Sequence, residues 1–399
     1  MRTCCDAANK PRVHYDFRMN AAFTLTPGPV ALRFGAGALD QLSEAIISLG
    51  RTRAFVITDQ GVVAAGVLSN VTRLLEEAGF AYGVFAEVKP NPNVTLIDQA
   101  AGQAKDFSDG VIIALGGGSS LDAAKGVALV AANPTFSSSY FNYTHTPEHP
   151  ALPIIAIPTT AGTGSETNGW GVIDDPALKC KFYLGDASTT PAIAILDPLL
   201  TLTLPPRPTA STGIDALTHA IESLTSRGRT PISAAYAHEA IRLISTSLAI
   251  SVRQGNDVEA RGNMLLGAHL AGLALTLSGL GLVHGIAHSV SAHVGAAHGE
   301  ALAAVLPEVM TFNSSVAADI YASVAVDMGY LSNADAATAI DKVRGLADDV
   351  NIRFPLTQFG VTRENVTDIS EVALADSVTS NNPITPTLAE IESIVMARL

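Results

Sequence analysis

Between about residue 22 and residue 200, short runs of aliphatic and β-branched residues alternate with longer stretches whose apolar positions recur every three or four residues. The run AFVIT at 54–58 predicts a buried strand. Apolar spacing over 62–78, stopped by Gly79, predicts the helix that follows it. Residues 82–88 predict a second strand, KPNPN at 89–93 a loop, 96–107 a helix, and GVIIAL at 110–115 a strand apolar on both faces. Further strands are expected at 154–157 and 192–196. Strands alternating with helices of about 10–15 residues imply βαβ units and a mostly parallel sheet.

The texture changes after Pro205, Pro206 and Pro208. Helical spacing dominates at 210–224, 231–253, 259–275, 301–312, 334–350 and 388–398, and hardly any β-rich run follows. The pattern predicts an α/β domain over 1–204 and an all-helical domain over 205–399, with a cleft between them for a ligand. Residues 1–20 are expected to form an extension or part of an edge strand. A chain of 399 residues, 48% hydrophobic and 15% charged, has the length for two domains and the apolar content for a large core.

Charge and cysteine content narrow the partners. A net charge of −13 argues against nucleic acid and offers no attraction to anionic lipid. The most apolar window, 270–283, falls short of about 18 apolar residues and is interrupted by Thr276, Ser278 and glycines, so no transmembrane helix is expected. The first twenty residues lack the apolar core of a signal peptide. Cys4, Cys5 and Cys180 form no disulfide framework, which fits a reducing cytoplasm.

Candidate chemistry lies in three places. The strand at 110–115 runs into Gly116, Gly117, Gly118 and Ser119, with Asp122 in the first turn of the next helix. Glycines let a backbone approach a ligand, and a helix N-terminus presents free N–H groups to a phosphate. A glycine-rich turn without a ligand is the competing reading. Asp59 ends the strand at 54–58; it could accept from the ribose hydroxyls of a dinucleotide or simply cap the next helix. The loop PTTAGTGSE at 158–166 offers further hydroxyls.

The stretch GLGLVHGIAHSVSAHVGAAHGE at 279–300 holds His284, His288, His293 and His298 among small apolar residues. A neutral imidazole is a borderline-soft donor and suits a divalent metal; a buried core histidine is the bland alternative. Asp215 and His219, four apart in the predicted helix 210–224, share a face with apolar neighbours. Alone they could be a hydrogen-bonded pair. With His284 and His298 they make one carboxylate and three imidazoles, a set that Fe²⁺, Zn²⁺, Co²⁺ or Ni²⁺ accepts, with an open position for an alcohol or aldehyde oxygen. His288, four residues after His284, is a candidate to orient a ligand or carry a proton.

The blocks GGGSSLDAAK (116–125), PTTAGTGSE (158–166), STGIDALTHAIES (211–223), GLVHGIAH (281–288), AHGEA (297–301) and SNNPITPTLAEI (380–391) resemble the iron-dependent, or group III, alcohol dehydrogenases over about residues 25–398. The resemblance implies an N-terminal Rossmann-like α/β domain and an all-helical C-terminal domain, the dehydroquinate synthase-like architecture, with NAD and a divalent metal, Fe²⁺ first and Zn²⁺ second, between them. It implies metal ligands at Asp215, His219, His284 and His298, and a pyrophosphate turn at Gly116 to Ser119 with Asp122. It further implies cofactor contacts at Thr159, Thr160 and Lys181, an NAD-selecting acid at Asp59, and a catalytic histidine at His288.

Departures from the family pattern are Asn168, Ser291, Ala292, Ala297 and His293, the last where an aromatic residue near the substrate is often found. They bear on the substrate and not on the metal. No Lys or Arg falls between Met264 and Asp341, which favours a small neutral alcohol or aldehyde over the acidic substrates of a maleylacetate-reductase-like or dehydroquinate-synthase-like enzyme. A homo-oligomer, dimer or higher, is expected.

Overall fold

The computed structural model describes residues 23–25, 30–141, 145–177, 180–330 and 334–399. The expected extension at 1–20, with Cys4, Cys5 and His14, lies outside them. The strands are β1 (Phe23–Leu25), β2 (Ala31–Phe34), β3 (Arg53–Asp59), β4 (Ala81–Val88), β5 (Val111–Gly116), β6 (Ile154–Pro158), β7 (Gly171–Asp175), β8 (Cys180–Leu184) and β9 (Ile193–Leu196). Interleaved with them are α1 (Leu42–Ser48), α2 (Gln60–Ala64), α3 (Val67–Glu77), α4 (Val94–Ala104) and α5 (Gly118–Ala132). Then come α6 (Pro206–Thr225), α7 (Pro231–Arg253), α8 (Val258–Ser278), α9 (Leu282–Val294), α10 (His298–Asp327), α11 (Ala336–Asp349), α12 (Val366–Ala375) and α13 (Leu388–Met396).

The seven-stranded sheet has the order β1-β2-β9-β6-β5-β3-β4, parallel except for the β1–β2 pair. Alternation along the strands sorts the core onto two faces. Val111, Ile113, Leu115, Ile155 and Ile157 pack with Leu42, Ile46, Val71 and Leu75 of α1 and α3. Ile112, Ala114, Ile154 and Ala156 pack with Ile97, Leu121 and Val127 of α4 and α5. Strands buried on both faces explain the continuous apolar runs in the sequence. The described residues from 206 onward form helices α6 to α13, built on one core centred on α6, whose Ile214, Leu217, Ile221 and Leu224 are buried. This is the expected fold: a Rossmann-like α/β sheet followed by helices.

Several elements differ from the expected ones, each for a local reason. The helix expected over 62–78 is two, α2 and α3, because Gly66 adopts a left-handed conformation (φ 76°) between them. The helix expected from 210 begins earlier, within the proline cluster, since Pro206 sits at a first-turn position where no N–H is required. The helix expected over 301–312 runs on as α10 through Pro307 and past a non-helical Ala317. The antiparallel β7–β8 hairpin was not foreseen; its strands are only five residues each. The apolar window 270–283 is divided by a 103° bend between α8 and α9. Helix α10 is long and apolar enough to resemble a membrane span, but 61% of its apolar window is buried in the protein.

Two close approaches fix where loops and helix ends meet. Gly116 lies opposite Pro158 in the β5–β6 register, so the turn after β5 and the loop after β6 leave the sheet side by side. The start of α10 lies against α6: a Cβ on Gly299 would stand 2.2 Å from the Ser211 carbonyl oxygen. Gly345, exposed within α11, would meet nothing within 4 Å. Alanine should therefore act oppositely at these two helical glycines. Gly299→Ala is expected to destabilise by about 1–3 kcal/mol through overpacking, and Gly345→Ala to stabilise by about 0.5–1 kcal/mol through helix propensity. Denaturant midpoints check this, and a Gly299→Ala protein as stable as wild type would contradict the packing described.

Candidate metal centre

Helix α6 presents Asp215, His219 and Glu222 at positions i, i+4 and i+7, hence on one face. All three are buried. Across from them, α9 carries His284 and His288, and α10 begins at His298. Glu222 sets the arrangement: its carboxylate accepts the backbone N–H groups of Gly281 (3.0 Å) and Val283 (2.7 Å) at the start of α9. It also meets His284 Nδ1 at 2.6 Å. With Nδ1–H committed to Glu222, His284 turns Nε2 towards Asp215.

Three imidazole nitrogens converge on one oxygen. His219 Nε2, His284 Nε2 and His298 Nε2 lie 3.2, 3.5 and 3.7 Å from Asp215 Oδ1. The His219 and His284 rings stack at 4.8 Å, and those of His284 and His298 are 5.4 Å apart. Neighbouring ligands at about 2.1 Å from a tetrahedral ion are themselves about 3.4 Å apart, so the spacing suits a divalent metal. Asp215 Oδ1 and His284 Nε2 are buried and have no hydrogen-bond partner, as is His219 Nδ1. Buried unpaired polar atoms are costly, and a cation bound by the first two would remove the penalty.

The electrostatics of Asp215 and His219 suit cation binding, whereas His284 holds a proton that a cation would have to displace. Burial opposes a charge on Asp215, yet His219, His284 and His298 together hold its carboxyl well below the usual carboxylate range. Burial pushes His219 down to about 4, keeping it neutral. Burial also pulls on His284, but Glu222 and Asp215 outweigh it and lift that imidazole to about 9.

The structure brings His288 beside this cluster. Its ring stacks on His298 at 5.3 Å, and its Nδ1 meets Asp376 Oδ2 at 2.8 Å. His293 is turned away: nine residues after His284 it lies about half a turn round the helix. Its ring is exposed, with Nδ1 2.9 Å from the Ser289 carbonyl. Sequence reasoning missed Glu222 and Asp376. Glu222 could have been found from its i+7 spacing to Asp215; Asp376 has no such signal.

At the sheet, the turn after β5 is closely packed. Gly116 has φ 145°, and a Cβ there would stand 2.7 Å from Ser120 Oγ and 3.0 Å from Asp59 Oδ2. Cβ atoms on Gly117 and Gly118 would meet Thr160 and Thr163 at 3.3 and 2.6 Å. Helix α5 starts at Gly118 with no side-chain cap, leaving its first N–H groups for an anion, and Ser119 lies half-buried in that turn. The β3–β5 neighbours flank the point where strand order reverses, where dinucleotides bind in open α/β sheets.

The remaining candidates have internal partners. Asp59 caps α2 through Val62 N–H (3.0 Å) and accepts from Ser120 (2.9 Å), which leaves lone pairs for a ribose. Thr159 N–H donates to the Gly116 carbonyl at 2.9 Å. Asp122 accepts from Ser165 (2.5 Å) and from Val172 N–H (3.0 Å), bracing the β7–β8 hairpin. Lys181, on β8, bonds Asn91 at 2.9 Å and lies 3.6 Å from Asp174. The loop after β6 also reaches the helical half: Gly162 packs on Thr212, Gly164 on Gly272, and Glu166 meets His269 at 3.1 Å.

Residues 29–198 match the family model described as iron-containing alcohol dehydrogenase, and residues 209–399 the C-terminal model of the Fe-containing alcohol dehydrogenase family. The chain is 34% identical over 372 residues to an NAD-dependent methanol dehydrogenase of Bacillus methanolicus, covering 92% of this chain and 97% of that protein. It is 35% identical over 364 residues to the lactaldehyde reductase of Escherichia coli K12, covering 90% and 95%. The crystal structure of a 1,3-propanediol oxidoreductase superposes with a TM-score of 0.89 at 32% identity, covering 95% of this chain and 100% of that one.

The lifted imidazole gives metal uptake a definite pH dependence. Below pH 9 His284 keeps the Nε2 proton that a metal must displace, whereas Asp215 is already ionised and His219 already neutral. At pH 7, binding of one Fe²⁺ or Zn²⁺ should release about one proton, and affinity should rise up to about tenfold per pH unit from 6 towards 9. Calorimetry in buffers of different ionisation enthalpy counts that proton. Uptake without proton release would contradict the lifted His284 imidazole.

Proposed function

The chain belongs to the iron-containing alcohol dehydrogenase family, and on that premise we propose that it interconverts a small neutral alcohol and its aldehyde, with NAD as hydride acceptor. We assign Asp215, His219, His284 and His298 as ligands of a divalent metal, Fe²⁺ first and Zn²⁺ or another second. The observation that carries this reading is the convergence of three Nε2 atoms on Asp215 Oδ1, with two of the converging atoms buried and unpartnered.

When bound, the metal supplies Lewis acidity at the oxygen of the reacting carbon. NAD supplies the nicotinamide carbon that accepts the hydride. The side chains do the rest. In the oxidative direction the carbinol carbon loses a hydride, the hydroxyl loses a proton, and a carbonyl forms. Asp376 holds His288 by Nδ1, so Nε2 is the nitrogen left to take that proton, and it returns the proton when the aldehyde is reduced. Asp59 accepts from the adenosine ribose and repels a 2′-phosphate, giving NAD over NADP. The turn Gly116 to Ser119 and the start of α5 hold the pyrophosphate, with Thr159 and Thr160 across from it and Lys181 on the ribose side. Asp122 contributes by bracing the hairpin.

The lack of Lys and Arg between Met264 and Asp341 supports a small neutral substrate over the phosphate-bearing or dicarboxylate acids of the rival enzymes on this fold. We divide the chain into a dinucleotide-binding part to residue 204 and a metal-binding part from 205. We place the protein in the cytoplasm, without a membrane or nucleic-acid partner, on the strength of its acidic charge and of three cysteines that form no disulfide framework. A homo-oligomer, dimer or higher, is expected.

Protein loaded anaerobically with Fe²⁺ should form NADH steadily with at least one C2–C6 alcohol or diol, and Asp215→Asn should abolish both metal retention and turnover. Asp376→Asn should keep the metal but lower kcat by about 10–100-fold, the range for loss of a supporting carboxylate. Full activity of Asp215→Asn, or a preference for NADP, would overturn the ligand set or the role of Asp59 respectively.

A further inference from the structure

Lys125 lies outside the metal centre and is the only buried lysine among the described residues, 1% exposed at the middle of α5. Its ammonium donates to Ser165 Oγ at 2.7 Å, to the Trp170 carbonyl at 2.7 Å and to Asn168 Oδ1 at 3.3 Å, with Asp122 Oδ1 at 3.7 Å. The acceptors are tied to one another. Ser165 Oγ donates to Asp122 at 2.5 Å, Trp170 N–H donates to Asn168 Oδ1 at 2.9 Å, and Val172 N–H donates to Asp122 at 3.0 Å. The ammonium thus joins three segments: helix α5, the loop after β6, and the start of the β7–β8 hairpin.

Burying a cation costs free energy that an apolar side chain of like volume would not incur, so this network is a poor way to gain stability. Burial brings Lys125 down to about 8, although Asp122 and Glu166 favour its charge. What the network does achieve is position. The segment it grips carries Thr159 and Thr160 and sets Thr160 and Thr163 against Gly117 and Gly118. On its other side the segment rests on Thr212 of α6 and Gly272 of α8. The loop is therefore the wall shared by the dinucleotide turn and the helical half, and Lys125 fixes its height above that turn.

We infer that Lys125 is a positioning residue for the dinucleotide: it holds residues 159–170 at the distance from the Gly116–Ser119 turn that NAD requires, without touching the metal centre. The inference rests on the assignment of that turn to NAD. The same network explains Asn168, the polar departure noted in the sequence, as an acceptor shared by Lys125 and the Trp170 backbone.

The single tryptophan of the chain, Trp170, sits in this network and serves as the reporter. NADH binding to Fe²⁺-loaded protein is followed by energy transfer from Trp170 to the nicotinamide, for wild type, Lys125→Met, Ser165→Ala and Asn168→Ala. Lys125→Met should weaken NADH binding by about tenfold or more, as expected for a lost charged hydrogen-bond network. KM for NAD should rise in parallel, while kcat at saturating NAD stays within about threefold and Fe²⁺ affinity within about twofold. The two alanine variants should each weaken NADH binding by about two- to fivefold, and they carry the test if Lys125→Met does not fold. A folded Lys125→Met with wild-type NADH affinity, or wild-type affinity in both alanine variants, overturns the inference, as does equal loss of Fe²⁺ affinity and kcat. Absence of NADH binding by wild type overturns the dinucleotide assignment itself, and this inference with it.

Discussion

One buried carboxylate sets the geometry on which the metal centre depends. Glu222 projects from α6, takes the first free N–H groups of α9 and holds His284 by Nδ1. A helix start left unsatisfied in the core would be costly, and a histidine free to rotate would have no fixed ligand atom. The same two oxygens remove both problems. Because Glu222 lies on the face of α6 that carries Asp215 and His219, fixing α9 to it brings the facing donors into one volume. The close contact of Gly299 with the Ser211 backbone adds His298 from the third side.

The second constraint is the β5–β6 register. Parallel pairing that ends at Gly116 and Pro158 delivers the glycine turn and the threonine loop to the same edge of the sheet. The loop continues onto α6 and α8, so the edge of the α/β half and the helix that carries Asp215 and His219 share one short segment. With the turn assigned to the cofactor and α6 to the metal, as proposed, the two sites would be neighbours, as hydride transfer between alcohol and nicotinamide requires.

Much of this was legible in the sequence, because it is encoded by local pattern. Apolar runs of β5 and β6 reveal a sheet buried on both faces. The i, i+4 spacings of Asp215 with His219 and of His284 with His288 put each pair on a common helix face. The family's motif blocks name the four residues that the fold then brings together. What escaped depends on contacts between distant segments. The pairing of Glu222 with His284 spans 62 positions and that of His288 with Asp376 spans 88, and no periodicity records either. The break at Gly66 depended on a backbone conformation that the apolar spacing of 62–78 does not reveal. His293 looked like its neighbours until helix geometry turned it to the opposite side.

The central claim is that Asp215, His219, His284 and His298 jointly bind one divalent ion between the two halves of the molecule. Anomalous diffraction at the iron edge from Fe²⁺-loaded crystals tests it most directly. The account predicts a single strong peak about 2.0–2.2 Å from an Asp215 oxygen and from the Nε2 atoms of His219, His284 and His298. A peak elsewhere, or one held without Asp215, would contradict it.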